Sequence, residues 1–94
     1  MDRAEALSIA QAEVTELRQA TYSQLVERLV GKQENVERVG KSGASYQVEL
    51  QAFWDNKPNG NLRVMVSIDD GGWAAFSPLT EDFIRAPDGS FIGE

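Results

Sequence analysis

The sequence predicts a two-layer α+β domain, with N-terminal helices packed on one face of an antiparallel meander of three to four strands. A short C-terminal hairpin or tail completes it. Three observations carry this. Apolar residues before position 31 recur at helical spacing. Between Ala44 and Asp69 they alternate at strand spacing. Turn chemistry rich in Gly, Pro, Asn and Asp punctuates the rest. The domain divides into a helical segment over 1–31, an antiparallel sheet over 35–77 and a tail over 78–94, and one long helix cradled by a curved sheet is the nearest alternative.

The alternation organises the chain. From Ala44 to Trp54 every even position is apolar, and the odd positions are polar except Phe53. Leu62, Val64, Val66 and Ile68 repeat the pattern over Asn61 to Asp69. Strict period-two alternation marks half-buried strands, one face in the core and one wet. Directly opposed residues share a face, so the two even faces meet only if paired numbers sum to an even value. Trp54 is therefore expected opposite Leu62, Ala52 opposite Val64 and Leu50 opposite Val66, around a loop of odd length centred on Lys57-Pro58-Asn59. Burying eight large side chains of this face is worth about 15 kcal/mol gross. Chain entropy consumes most of that, so a hairpin alone is insufficient and a second layer must cover it.

That layer is found upstream. Leu7, Ala10, Val14 and Leu17 form an amphipathic stripe over Arg3 to Gln19. Thr21-Tyr22-Ser23-Gln24 reads as a capping box. Behind it Tyr22, Leu25, Val26 and Leu29 continue a second stripe, and Gly31 is placed to end it. Two helices meeting near Ala20, or one helix bent there, satisfy the pattern. Asn35 to Val39 then forms an edge strand guarded by Glu34, Glu37 and Arg38, and Gly40 to Gly43 a turn.

Downstream, Asp70-Gly71 suits a two-residue hairpin turn, with a three-residue turn, which swaps the faces of the fourth strand, as the alternative. Pairing Asp69 with Gly72 sets Trp73 opposite Ile68 and Ala75 opposite Val66, with Phe76 beside Met65 on the wet face. Pro78 ends that strand. Phe83-Ile84 and Phe91-Ile92 flank Ala86-Pro87-Asp88-Gly89 as a terminal hairpin. Phe53, Met65 and Phe76 then form one apolar patch on the outer face, a candidate interaction surface unless the terminal hairpin folds over it.

Composition narrows the chemistry. With neither Cys nor His among 94 residues, thiol and imidazole triads and most zinc sites are excluded. Gly71-Gly72 lacks the strand–loop–helix setting and the Lys of a phosphate cradle, and no cofactor is expected. Asp55-Asn56-Lys57-Pro58-Asn59-Gly60 has Lys57 where a calcium loop needs oxygen, and Val66 where it needs Glu. Asp69-Asp70, Glu81-Asp82, Asp88 and Glu94 are the candidates for a hard cation or general-base role, and a hydrolase would use Asp69, Asp70, Glu81 and Asp82. They also suit turns and solubility, and no catalytic or metal residue is assigned. Residues 70–94 hold five acids against Arg85, or −4 of the net −6. This balance opposes nucleic acid and anionic lipid. No apolar run reaches membrane-spanning length, and the N-terminus has no apolar signal core, so a cytoplasmic setting is expected.

At Ser67-Ile68-Asp69-Asp70-Gly71-Gly72-Trp73 and at Ala86-Pro87-Asp88-Gly89-Ser90-Phe91-Ile92-Gly93-Glu94 the chain resembles a group of small uncharacterised bacterial proteins. The resemblance runs from about Thr21 to Glu94 and implies a bacterial cytoplasmic setting, without an activity. The expected function is a non-enzymatic protein-interaction or regulatory module, with a protein partner or self-association through a sheet face or edge. A small acidic inhibitor or immunity-type protein and a carboxylate- or metal-dependent hydrolase are the alternatives.

Overall fold

The computed structural model describes residues 1–71 and 78–94. Helices α1 (Arg3–Leu17) and α2 (Tyr22–Leu29) precede five strands among the described residues: β1 (Glu34–Val39), β2 (Ser45–Trp54), β3 (Leu62–Asp69), β4 (Leu79–Arg85) and β5 (Phe91–Ile92). The strands form one antiparallel sheet in sequence order. Helix α1 packs chiefly against β3 and β4, and α2 against β2. The architecture is two-layer α+β, as the patterning requires.

Each helix begins where its cap dictates. The Asp2 carboxylate accepts the Glu5 amide at 3.0 Å. Thr21 Oγ1 accepts the Gln24 amide at 3.1 Å while Gln24 Oε1 accepts the Thr21 amide at 2.8 Å, completing the capping box. Gly31 follows α2 with φ +71°, a left-handed conformation that glycine adopts without steric cost. The buried stripe of α1 is Ala6, Ala10, Glu13 and Leu17, with Leu7, Ile9 and Val14 at its margins. Glu13 belongs to it because Arg38 of β1 donates to its carboxylate at 2.6 Å. A buried charge persists when paired.

The register of β2 on β3 follows the parity argument: Trp54 opposes Leu62, Ala52 opposes Val64 and Leu50 opposes Val66. Asp55 N–H donates to the Asn61 carbonyl at 2.8 Å, and Gly60 N–H to that of Lys57 at 3.1 Å. Pro58 sets the turn, and Asn59 takes its one left-handed position, φ 65°. The core unites Tyr46, Val48, Leu50 and Ala52 of β2 and the even residues of β3 with Leu25, Leu29 and Leu17 from the helices.

The fourth strand departs from expectation. Opposite Ile68 and Val66 stand Leu79 and Glu81 of β4, in the places expected for Trp73 and Ala75. The expected strand around Trp73 to Phe76 falls in 72–77, outside the described residues. The local turn chemistry is real, since the Asp69 carboxylate accepts the Gly71 amide at 2.8 Å with Gly71 at φ +82°. Pro78 precedes a strand, where its missing N–H costs no ladder bond. The sheet therefore does not end at residue 77, because β4 and β5 are its last two members.

The terminal hairpin forms as expected, but in the plane of the sheet. Ile84 pairs with Ile92 and Arg85 with Phe91. Asp88 accepts the Ser90 amide and hydroxyl, and Gly89 adopts φ +91°. Phe83 points into the core at 5% exposure. The hairpin extends the sheet and does not fold over Phe53 and Met65.

Candidate interaction surface on the open sheet face

Both helices lie on one face of the sheet, and no described element covers the other. Along β2 the odd residues occupy that open face, and the pairing carries it across the sheet. One row reads Phe53, Arg63, Ile84 and Ile92, each directly opposite the next. The adjoining row reads Gln51, Met65 and Asp82. Direct neighbours in such rows have Cβ atoms about 5 Å apart, and diagonal neighbours about 7–8 Å, within reach of large side chains. Phe53, Met65, Ile84 and Ile92 thus share one end of the face. Phe53 and Ile92 are 47% and 40% exposed, whereas the opposite face of β2 and β3 is sealed.

Of the three patch residues expected from sequence, Phe53 and Met65 lie diagonally across β2 and β3, as the register requires. Phe76 lies outside the described residues. Ile84 and Ile92, expected as a lid, instead stand beside Phe53 and enlarge the patch. Their position follows from the odd sum of the β3–β4 register, Ile68 with Leu79, which puts even residues of β4 on the open face. The alternation of Leu79, Glu81 and Phe83 against Thr80, Asp82 and Ile84 was the available signal.

Arg63 interrupts the apolar row with a charge fixed from both sides. Its guanidinium donates to Asp55 at 3.0 and 3.2 Å and to Asp82 at 2.5 Å. These bonds, Asp82 first, raise its pKa further above the ordinary value. Held between two acids, its charge is matched. Among the described strand residues, Glu37, Glu49, Asp69 and Asp82 share this face with Arg63 as the one cation.

The acids weighed for metal or general-base work are parcelled out. Glu81 and Asp82 project from opposite faces of β4. Asp82 holds Arg63, Asp69 holds the Gly71 amide, and Asp70 lies 3.4 Å from the N-terminal ammonium. No cluster of three or more metal-ligating side chains occurs among the described residues.

The most perturbed side chains lie on the helical face. Tyr46 Oη and Ser42 Oγ each donate to Glu5 Oε1 at 2.7 Å, and Ser42 N–H to Oε2 at 3.0 Å. The Ser42 hydroxyl leads in holding the Glu5 carboxyl below its ordinary value, and the Glu5 hydrogen bond pushes Tyr46 up to about 12. A depressed carboxylate is a weaker base and a raised phenol a weaker acid, so this trio anchors α1 to the β1–β2 turn.

No family model, curated protein or solved structure matches the chain. Among the described residues, no helix is long and apolar enough to cross a membrane.

Proposed function

We propose that the chain is a non-enzymatic protein-interaction module that binds through the open face of its sheet. The observation that carries this reading is the row Phe53, Arg63, Ile84 and Ile92, with Met65 beside it. Apolar side chains gathered from four adjacent strands onto an uncovered face mark a binding surface more than scattered exposure does. Four acids against one neutralised arginine make the surround negative. The partner surface that fits is an apolar centre with a basic rim. The same charge supports the inhibitor form of this reading, in which the chain blocks a basic site. The scattered acids weigh against the hydrolase. The bacterial cytoplasmic setting implied by the resemblance belongs to this reading.

The test places the photo-crosslinking residue p-benzoylphenylalanine at Phe53, and at Ser23 on the exposed side of α2, in cells that naturally make the chain. A discrete adduct from position 53 alone, abolished by Ile84→Arg and weakened by added salt, is the expected result. Equal adducts at both positions, or none at 53, overturn it.

A further inference from the structure

The open face has an open edge beside it. Strand β1 ends the sheet, and the bonding pattern fixes which of its backbone groups are used. Gly40 N–H donates to the Ala44 carbonyl, so the even residues of β1 are the ones bonded to β2. Asn35, Glu37 and Val39 therefore direct their N–H and C=O groups away from the sheet. Among the described residues the one hydrogen bond to these groups is a long contact, 3.4 Å, from Arg38 Nη1 to the Glu37 carbonyl.

Natural edges are blunted by proline, bulges or charges aimed across them. β1 has no proline, and its pairing with β2 runs unbroken from Glu34 to Val39. Two of its three charges are engaged toward the helices. Glu34 binds Arg28 at 2.7 Å, and Arg38 binds the buried Glu13. The helical layer also leaves room here, since a cavity of about 440 Å³ opens between Ala4, Ser8 and Ala12 of α1 and Val39 to Lys41.

We infer that β1 pairs antiparallel with β1 of a second copy, about a two-fold axis at Val36, joining two sheets into one. The sequence of the strand selects both occupant and register. With Val36 on the axis, Val36 meets its own copy, Glu34 meets the second copy's Arg38, and Asn35 meets its Glu37, each cross-pair occurring twice. Shifting the axis to Glu37 or Arg38 sets like charges directly opposite, and shifting it to Asn35 sets Arg38 against the second copy's Lys32. Of the registers that pair most of β1, the Val36 one alone sets opposite charges across the seam and no like ones, the self-complementarity an isologous interface needs. Each Glu34–Arg38 cross-pair extends the internal pairs into an alternating line of Arg28, Glu34, Arg38 and Glu13 across the junction.

The inference stands independently of the open-face reading, because it concerns the edge and a different occupant. Sedimentation of the full chain over a concentration series should show the 10.4 kDa species giving way to one of twice that mass. Glu37→Pro removes an outward N–H without touching a β1–β2 bond, and should leave a folded monomer. Asn35→Lys faces Glu37 of the other copy and should tighten the dimer, while Asn35→Glu should loosen it. Val36→Cys places two thiols at a non-hydrogen-bonded pair, where Cα atoms lie about 4.5 Å apart, within disulfide reach. In a chain without cysteine it should oxidise to a covalent dimer, and Ser45→Cys should not. A monomeric wild type overturns the inference. So does a dimer unaffected by Glu37→Pro but dissociated by Ile84→Arg, which would assign it to the open face.

Discussion

Arg85 Nη1 donates to the main-chain carbonyl of Ala20 at 2.8 Å, tying the fourth strand to the joint between the two helices. The same side chain reaches the Arg18 carbonyl at 3.3 Å and donates through Nε to Gly89 at 2.7 Å. Its guanidinium lies 4.4 Å from the centre of the Phe91 ring, and Arg18 lies 3.8 Å from the same ring. One aromatic ring thus sits between two cations, and Arg18 in turn holds Glu94 at 2.6 and 2.7 Å.

Arg85→Ala should cost about 1.5–3 kcal/mol, the range for hydrogen bonds made by a charged donor. Arg85→Lys should recover only part of it, because an ammonium cannot hold two carbonyls and stack in one geometry. The urea midpoint should fall with the slope unchanged.

Ending the chain after Leu79 should abolish cooperative folding. The cause is loss of Phe83 from the core and of β3's outer partner, not exposure of the patch. Circular dichroism through a thermal ramp would read this directly, and a sharp melt in the shortened chain would contradict the packing.

Val64→Asp should have the same outcome by another route. Val64 is fully buried between Ala52 and Phe83, and a carboxylate there has no partner. A cooperative transition near the parent temperature would place Val64 outside the core.

The Glu5–Tyr46 pair predicts opposed pH dependences. Glu5 titrates lower when folded, so its contribution is present above its ordinary pKa, 4.5, and is lost as pH falls below that. Tyr46 titrates higher, at about 12 against 10.0 unfolded. Its contribution is complete below pH 10 and is lost as pH rises toward 12. Glu5→Gln should flatten the acid limb of stability against pH, and Tyr46→Phe the alkaline limb. Denaturant titrations at both extremes would check each sign.

Legibility in the sequence followed the range of the interaction. The capping box at Thr21, the Leu50–Val66 register and the Pro87–Gly89 turn depend on neighbours or on parity, and each is written locally. The position of β4 depends on how much chain lies between two strands. Asp70-Gly71 carries tight-turn chemistry, yet it is Leu79 and Phe83, both buried, that stand opposite Ile68 and Val64. Glu13 was hidden for a related reason. A carboxylate on a helix reads as wet until its cation is known, and Arg38 lies on another element. The open-face patch was half visible. Phe53 broke its alternation, but the places of Ile84 and Ile92 required the β3–β4 register.

The strands lie in the sheet in the order in which the chain is written, and this sets an order of events during synthesis. Each hairpin from β1 to β3 can form as soon as its second strand has left the ribosome, since every pairing is with the strand just made. Helix α2 can settle on β2 early, but α1, though made before any strand, must wait for β3 and β4. α1 rests on β3 and β4, and its C-terminal end is held by Arg85, Phe91 and Glu94, all made well after β3. Until then the even residues of β3 are an apolar surface without the part of the lid that α1 supplies. The nascent chain is therefore most prone to aggregate while β2 and β3 are exposed and β4 has yet to appear.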